Sequence, residues 1–168
     1  MAELDIQISV EEGDWPSEDV LQALAERVLG AAATYLKKIE KQPFPKTALE
    51  VSLVFTDDAS IREINAEWRK QDKATNVLSF PAFPLEPGGK PGPMLGDIII
   101  ARETVEREAI ELEKSFDDHL THLMVHGFLH LFGYDHMNNS EAERMEGLET
   151  RILAELSLSD PYAGQDPI

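Results

Sequence analysis

All five histidines of this chain fall between positions 119 and 136, and three of them are spaced so that they can converge on one ion. His126 and His130 are four residues apart. A helix sets two such side chains on one face, one turn apart. At that separation two imidazoles can share a zinc ion through bonds of ~2.0–2.1 Å. Gly133 then allows a sharp left-handed turn, and His136 follows closely enough to come back to the same point. The run reads His126-Gly127-Phe128-Leu129-His130-Leu131-Phe132-Gly133-Tyr134-Asp135-His136. Three neutral ligands leave a fourth coordination position for water, whereas structural zinc sites are usually closed by four protein ligands. The chemistry implied is metal-assisted hydrolysis, with one Zn2+ per chain expected, although three imidazoles also suit nickel, copper or iron. His119 and His122 lie on the same stretch. His122 is eight residues from His130, which is ~12 Å of helix rise, too far for one ion to bridge. Both are expected in core or supporting roles.

The residue beside the first histidine narrows the chemistry. In the metzincin proteases the same histidine spacing carries a glutamate there, and that glutamate is the general base. Here the position is Gly127, which cannot accept a proton, so conventional proteolysis is disfavoured while the metal site is spared. Activation of the nucleophile is then left to the metal, which lowers the pKa of a bound water to roughly 7, or acts as a Lewis acid on a phosphoryl oxygen. Phosphoryl chemistry also wants a cation to offset charge on the non-bridging oxygens. Arg69, Lys70 and Lys73 form the best concentration of positive charge outside a helix. Arginine can grip phosphate in bidentate fashion, so Arg69 and Lys73 are the candidate substrate-binding residues.

The elements that must carry these residues can be read from periodicity. Leu4–Val10 alternates apolar and polar and predicts a half-buried strand. Ser17 caps a helix whose apolar residues are Val20, Leu21, Leu24, Val28 and Leu29. Ala48–Phe55 is a second strand. Asp57-Asp58 opens a second helix, with Ile61, Ile64 and Trp68 on its buried stripe. A short strand spans Val77–Phe80, and the proline- and glycine-rich run from Pro81 to Pro93 is an irregular loop. Leu95–Ala101 is a strongly apolar strand, expected at the centre of the sheet, with Asp97 inside it either holding a loop or orienting a ligand. Glu103 to about Lys114 is a helix. Ser115 caps the histidine helix, which runs to about Phe132 before Gly133 ends it. Asp135 either caps the turn after Gly133 or supports a histidine N–H. Ser140 with Glu143 is a capping box for a last helix reaching about Leu156. The fold class is α+β, a small mixed sheet of about four strands packed with helices. A single hydrolase domain is expected over 1–156, with a loose tail over 157–168.

Composition sets the outer bounds. The length, 168 residues, suits one domain, and 42% of the residues are hydrophobic, enough for one core. With no cysteine, disulfides, thiol catalysis and thiolate metal sites are excluded. No apolar run approaches the roughly 18 residues of a membrane span. The acidic start, Met1-Ala2-Glu3-Leu4-Asp5, does not resemble a signal peptide. A cytoplasmic protein with no membrane partner is the resulting expectation. The formal net charge of −17 repels nucleic acid at long range and leaves recognition of any phosphate to a local cation cluster.

These residues resemble the YbeY family of endoribonucleases. The resemblance rests on His-Gly-x-Leu-His-Leu-x-Gly-Tyr-Asp-His over His126–His136, on Arg69 with Thr75-Asn76-Val77-Leu78-Ser79-Phe80-Pro81, and on Leu95-Gly96-Asp97-Ile98. It implies that His126, His130 and His136 bind zinc and that Arg69 is the functional arginine near the substrate. It further implies a single-strand-specific, metal-dependent endoribonuclease. Such an enzyme acts in 16S ribosomal RNA 3′ end maturation and ribosome quality control, with RNA and the small ribosomal subunit as partners. Two alternatives from other classes stand beside it. One is a non-nuclease metal-dependent hydrolase. The other is a ribosome-assembly factor in which zinc is structural.

Overall fold

A computed structural model describes residues 4–162 of the protein. Four strands, β1 (Leu4–Val10), β2 (Leu49–Thr56), β3 (Val77–Pro81) and β4 (Met94–Ala101), form one sheet in the order β1-β2-β4-β3. β1 pairs parallel to β2 and β2 parallel to β4, while β3 runs antiparallel to β4. Five helices accompany them: α1 (Glu18–Lys38), α2 (Asp58–Arg69), α3 (Arg102–Glu111), α4 (Phe116–Leu131) and α5 (Asn139–Glu155). The fold is therefore α+β with a mixed four-stranded sheet, as the sequence predicts.

The central position of β4 explains its composition. Ile98 and Ile100 point into the main core, which they share with residues of α1, α4 and α5. Ile99 and Ala101 point to the opposite face, against Ile61 of α2 and Leu78 of β3. A strand covered on both faces reads as a continuous apolar run rather than an alternating one. β2 shows the half-way case: Leu49, Val51, Leu53 and Phe55 are all fully buried in the main core, with intermediate residues between them.

α4 is the helix that the others enclose, and twelve of its sixteen residues are buried. Its start is fixed by Ser115, whose side chain accepts from the Asp118 N–H at 3.1 Å. Its position on the sheet is fixed by Gly127. A Cβ there would lie 2.9 Å from Ile98 Cγ2 and 3.2 Å from Ser79 Oγ, so the helix rests on β3 and β4 only because that side chain is absent. The Ser79 hydroxyl then donates to the Gly127 carbonyl at 3.1 Å. α4 ends as the sequence predicts, with Gly133 at φ +96°, and a side chain at that position would also collide with the Leu85 carbonyl.

Three expectations need correction. Trp68 is 68% exposed, not core, because the cover that buries Ile61 gives out by the last turn of α2. The last helix opens two residues earlier than the Ser140–Glu143 pattern suggests: Asn138, in an extended conformation, accepts from the Glu141 N–H at 2.9 Å, and Ser140 sits inside the first turn. The tail expected to be loose from 157 is packed as far as Tyr162. Leu158 joins the core, Pro161 is buried, and the Lys114 ammonium donates to the Pro161 carbonyl at 3.1 Å. The remainder of that tail, 163–168, and the first three residues lie outside the described residues. Among the described residues, no helix is long and apolar enough to cross a membrane.

Candidate metal centre

Helical spacing on α4 and the turn after Gly133 bring three imidazoles together. One ring nitrogen each from His126, His130 and His136 lie within 4.8 Å of one another, the group among the described residues that could hold a metal ion. Ring centroids are 4.5 Å apart for His126–His130, 5.1 Å for His130–His136 and 5.7 Å for His126–His136. His126 is buried, His130 half-buried and His136 exposed, so the group opens to solvent on one side.

Two of the ring nitrogens point directly at each other. His126 Nε2 and His130 Nε2 face one another at 3.0 Å. On the other side of the His126 ring, Nδ1 lies 2.6 Å from Oε1 of Glu149, which is fully buried on α5. Burial would raise the Glu149 pKa, but hydrogen bonds with His122 and His126 outweigh it and hold the carboxyl down to about 2. An ionised carboxylate only accepts. His126 must therefore donate from Nδ1, which leaves the Nε2 lone pair free for an ion. His130 is pushed down to about 4, chiefly by burial and then by the neighbouring His126, so its imidazole is neutral near pH 7.

The other predicted residues divide clearly. Arg69 and Lys73 line the same cleft as the three histidines, a space of about 700 Å³. Both are exposed, and neither forms an ion pair among the described residues. Arg69 closes α2. Lys70 follows in the left-handed conformation, and the buried Asn65 side chain donates to the Lys73 carbonyl at 2.9 Å, which holds the loop against the helix. Asp135 Oδ1 accepts from the His136 N–H at 2.8 Å and is 4.0 Å from His130 Nδ1, so it shapes the turn rather than bonding a ring. Asp97 is exposed on β4 and is not among the residues lining the cleft. His119 bonds Glu108 at 2.9 Å and His122 bonds the Tyr162 hydroxyl at 3.2 Å; neither joins the three-histidine group.

Glu149 was not singled out in the sequence, where it is one of 32 acidic residues. A signal was nevertheless present. The buried stripe of α5 is Met145, Leu148, Glu149, Ile152 and Leu153, and a carboxylate on an apolar helix face requires a partner.

The sequence model of a family described as "Endoribonuclease YbeY" matches residues 6–157. An Endoribonuclease YbeY of Rhizobium johnstonii is 79% identical over 166 residues, covering 99% of this chain and 97% of the relative. One from Agrobacterium fabrum is 76% identical over 168 residues, covering 100% of both. A solution structure of TM1509 from Thermotoga maritima has a TM-score of 0.55 at 24% identity, covering 94% of this chain and 99% of that one, and shares the fold.

Proposed function

The chain belongs to the YbeY family, and from that premise we propose that it is a zinc-dependent, single-strand-specific endoribonuclease. Its place is 16S ribosomal RNA 3′ end maturation and ribosome quality control, with precursor RNA as substrate and the small ribosomal subunit as partner. It acts in the cytoplasm, and residues 1–156 work as one hydrolase domain. The observation that carries this reading is the convergence of three imidazole nitrogens in a cleft also lined by Arg69.

The donor set fits zinc. Three neutral nitrogens suit a borderline metal, one of them is preset by a buried carboxylate, and one flank is open to solvent. His126, His130 and His136 would hold the ion. When bound, zinc would supply Lewis acidity towards a phosphoryl oxygen and would lower the pKa of a water to roughly 7. The chain's own residues do the rest. His126 contributes directly at the reacting centre, held in place by Glu149. Arg69, with its guanidinium free in the cleft, binds the non-bridging oxygens and offsets the charge that builds on the phosphorus. Lys73, fixed by Asn65 through its carbonyl, adds a second cation for the RNA backbone. β3 residues Val77–Ser79 form part of the wall of that cleft.

The test is metal content, by mass spectrometry, of untagged wild type and His130→Ala, followed by cleavage of single-stranded RNA. About one zinc per chain in wild type, lost together with cleavage in the variant, is the expected result. A metal-free wild type after zinc supply would end the reading. Holo protein that leaves RNA intact but unfolds on chelation would favour a structural zinc in an assembly factor. Cleavage of peptides or small esters instead would favour another hydrolase.

A further inference from the structure

Behind the three histidines, Glu149 continues into a second group of polar side chains, His122 and Tyr162, that the proposed reaction does not use. Glu149 places its two carboxylate oxygens in different hands. Oε1 meets His126 Nδ1 at 2.6 Å, while Oε2 takes the Tyr162 hydroxyl in a short hydrogen bond. His122 Nε2 lies 3.2 Å from the same hydroxyl, and the two rings meet edge to face at 5.4 Å. His122 and Glu149 are buried, at 2% and 0% exposure. Tyr162 comes from the segment after α5, which is held in place where Asp160 Oδ1 accepts from the Tyr162 N–H at 2.9 Å and Lys114 bonds the Pro161 carbonyl.

Donor counting gives this chain of bonds one direction. A carboxylate only accepts, so the Tyr162 hydroxyl spends its one proton on Glu149. The hydroxyl can then only accept from His122, whose Nε2 must carry a proton. On the other side, Glu149 Oε1 requires a proton on His126 Nδ1. We propose that His122, Tyr162 and Glu149 form a fixed donor chain that presets His126 as its Nδ1–H tautomer, so that Glu149 and the C-terminal Tyr162 are positioning residues for the metal centre. The inference rests on the zinc reading above. It adds that residue 162, far in sequence from the histidines, governs how well they bind the ion. Without the Tyr162 hydroxyl, Oε2 keeps only the more distant His122 Nε2, at 3.6 Å, as a neighbouring donor, and the carboxylate is held less firmly towards His126. With Glu149→Gln, the amide can present its NH2 to His126 Nδ1, which moves the imidazole proton to Nε2 and removes the lone pair from the site.

Two readouts on the untagged full chain test this. Imidazole ¹⁵N spectra of the zinc-free protein report the tautomer directly. His126 is expected protonated at Nδ1 in wild type, shifted towards Nε2–H in Glu149→Gln, and mixed in Tyr162→Phe. Zinc affinity, read by chelator competition, is expected to fall about 10–100-fold in Glu149→Gln and less, in the same direction, in Tyr162→Phe. The second variant keeps the ring and its packing, so it decides the matter if Glu149→Gln does not fold. An Nε2–H tautomer in wild type would overturn the proposal. So would wild-type zinc affinity and tautomer in a folded Tyr162→Phe. Wild type that binds no zinc would overturn the metal reading and this inference together. Failure of the inference alone is recognised by tight zinc binding in all three proteins.

Discussion

At position 127 the sequence offers a helix neither a side chain nor good propensity, and the structure supplies the reason. The site where a protease of similar histidine spacing carries its base lies here against Ile98 and Ser79, where even a Cβ is too close. Gly127→Ala gains about 1 kcal/mol of helix propensity and loses about 1–3 kcal/mol to overpacking. The expected balance is a small net loss, visible as a lower urea midpoint. Gly127→Glu has no space at all and should fail to reach the native state. At Arg69 the expectation concerns rate rather than stability. The side chain is exposed, so Arg69→Ala should melt like wild type while kcat on single-stranded RNA falls about 10²–10³-fold. Lys73→Ala should act mainly on KM. An unchanged kcat in Arg69→Ala would remove its assigned role. The three histidines were legible because helix geometry turns a spacing of four directly into proximity, and a glycine marks the return. Glu149 was not, since its partner lies on another element and no local spacing connects them.

The elements are legible in the sequence to unequal degrees, each for a physical reason. Strand β1 is recovered end to end because alternation is a local signal, and α4 because Ser115 and Gly133 punctuate it. Trp68 was misplaced because periodicity reports which side of a helix a residue occupies, not whether anything covers that turn. At the start of α5 two capping solutions competed, and Asn138 won. Asn138→Ala is therefore expected to cost about 1 kcal/mol, whereas Ser140→Ala should be nearly silent in the same unfolding measurement. A second junction depends on pH. Glu108 on α3 accepts from Asn76 at the edge of β3 and from His119 on α4, each at 2.9 Å. Burial alone would raise its pKa, but the bonds from His119 and Asn76 outweigh burial and leave the carboxyl below its ordinary value of 4.5. A depressed carboxyl pKa stabilises the fold above the unfolded value, and that contribution is lost as pH falls through the folded one. Wild type should thus lose more stability than Glu108→Gln between pH 6 and pH 3. Equal losses in urea titrations would show that the junction carries no such linkage.

Over the whole molecule, a net charge of −17 surrounds a cleft whose exposed lining cations are Arg69 and Lys73. Two phosphate contacts on a single strand correspond to a slope of about −1.4 in log affinity against log salt. The free protein is expected to bind single-stranded RNA weakly and with a slope no steeper than that. A much steeper slope, measured by fluorescence anisotropy across a salt series, would show that cations beyond Arg69 and Lys73 contact the RNA. The unequal burial of the three histidines has a kinetic meaning as well. His126 sits within α4, the most enclosed helix, whereas His136 lies on an exposed turn beyond Gly133, and exposed turns open at a lower free energy than core helices. An ion held by such a set would not leave from all sides at once. It would come off the turn first and be retained by the helix pair, so the lifetime of the loaded state would follow the motion of residues 134–137 rather than the stability of the fold.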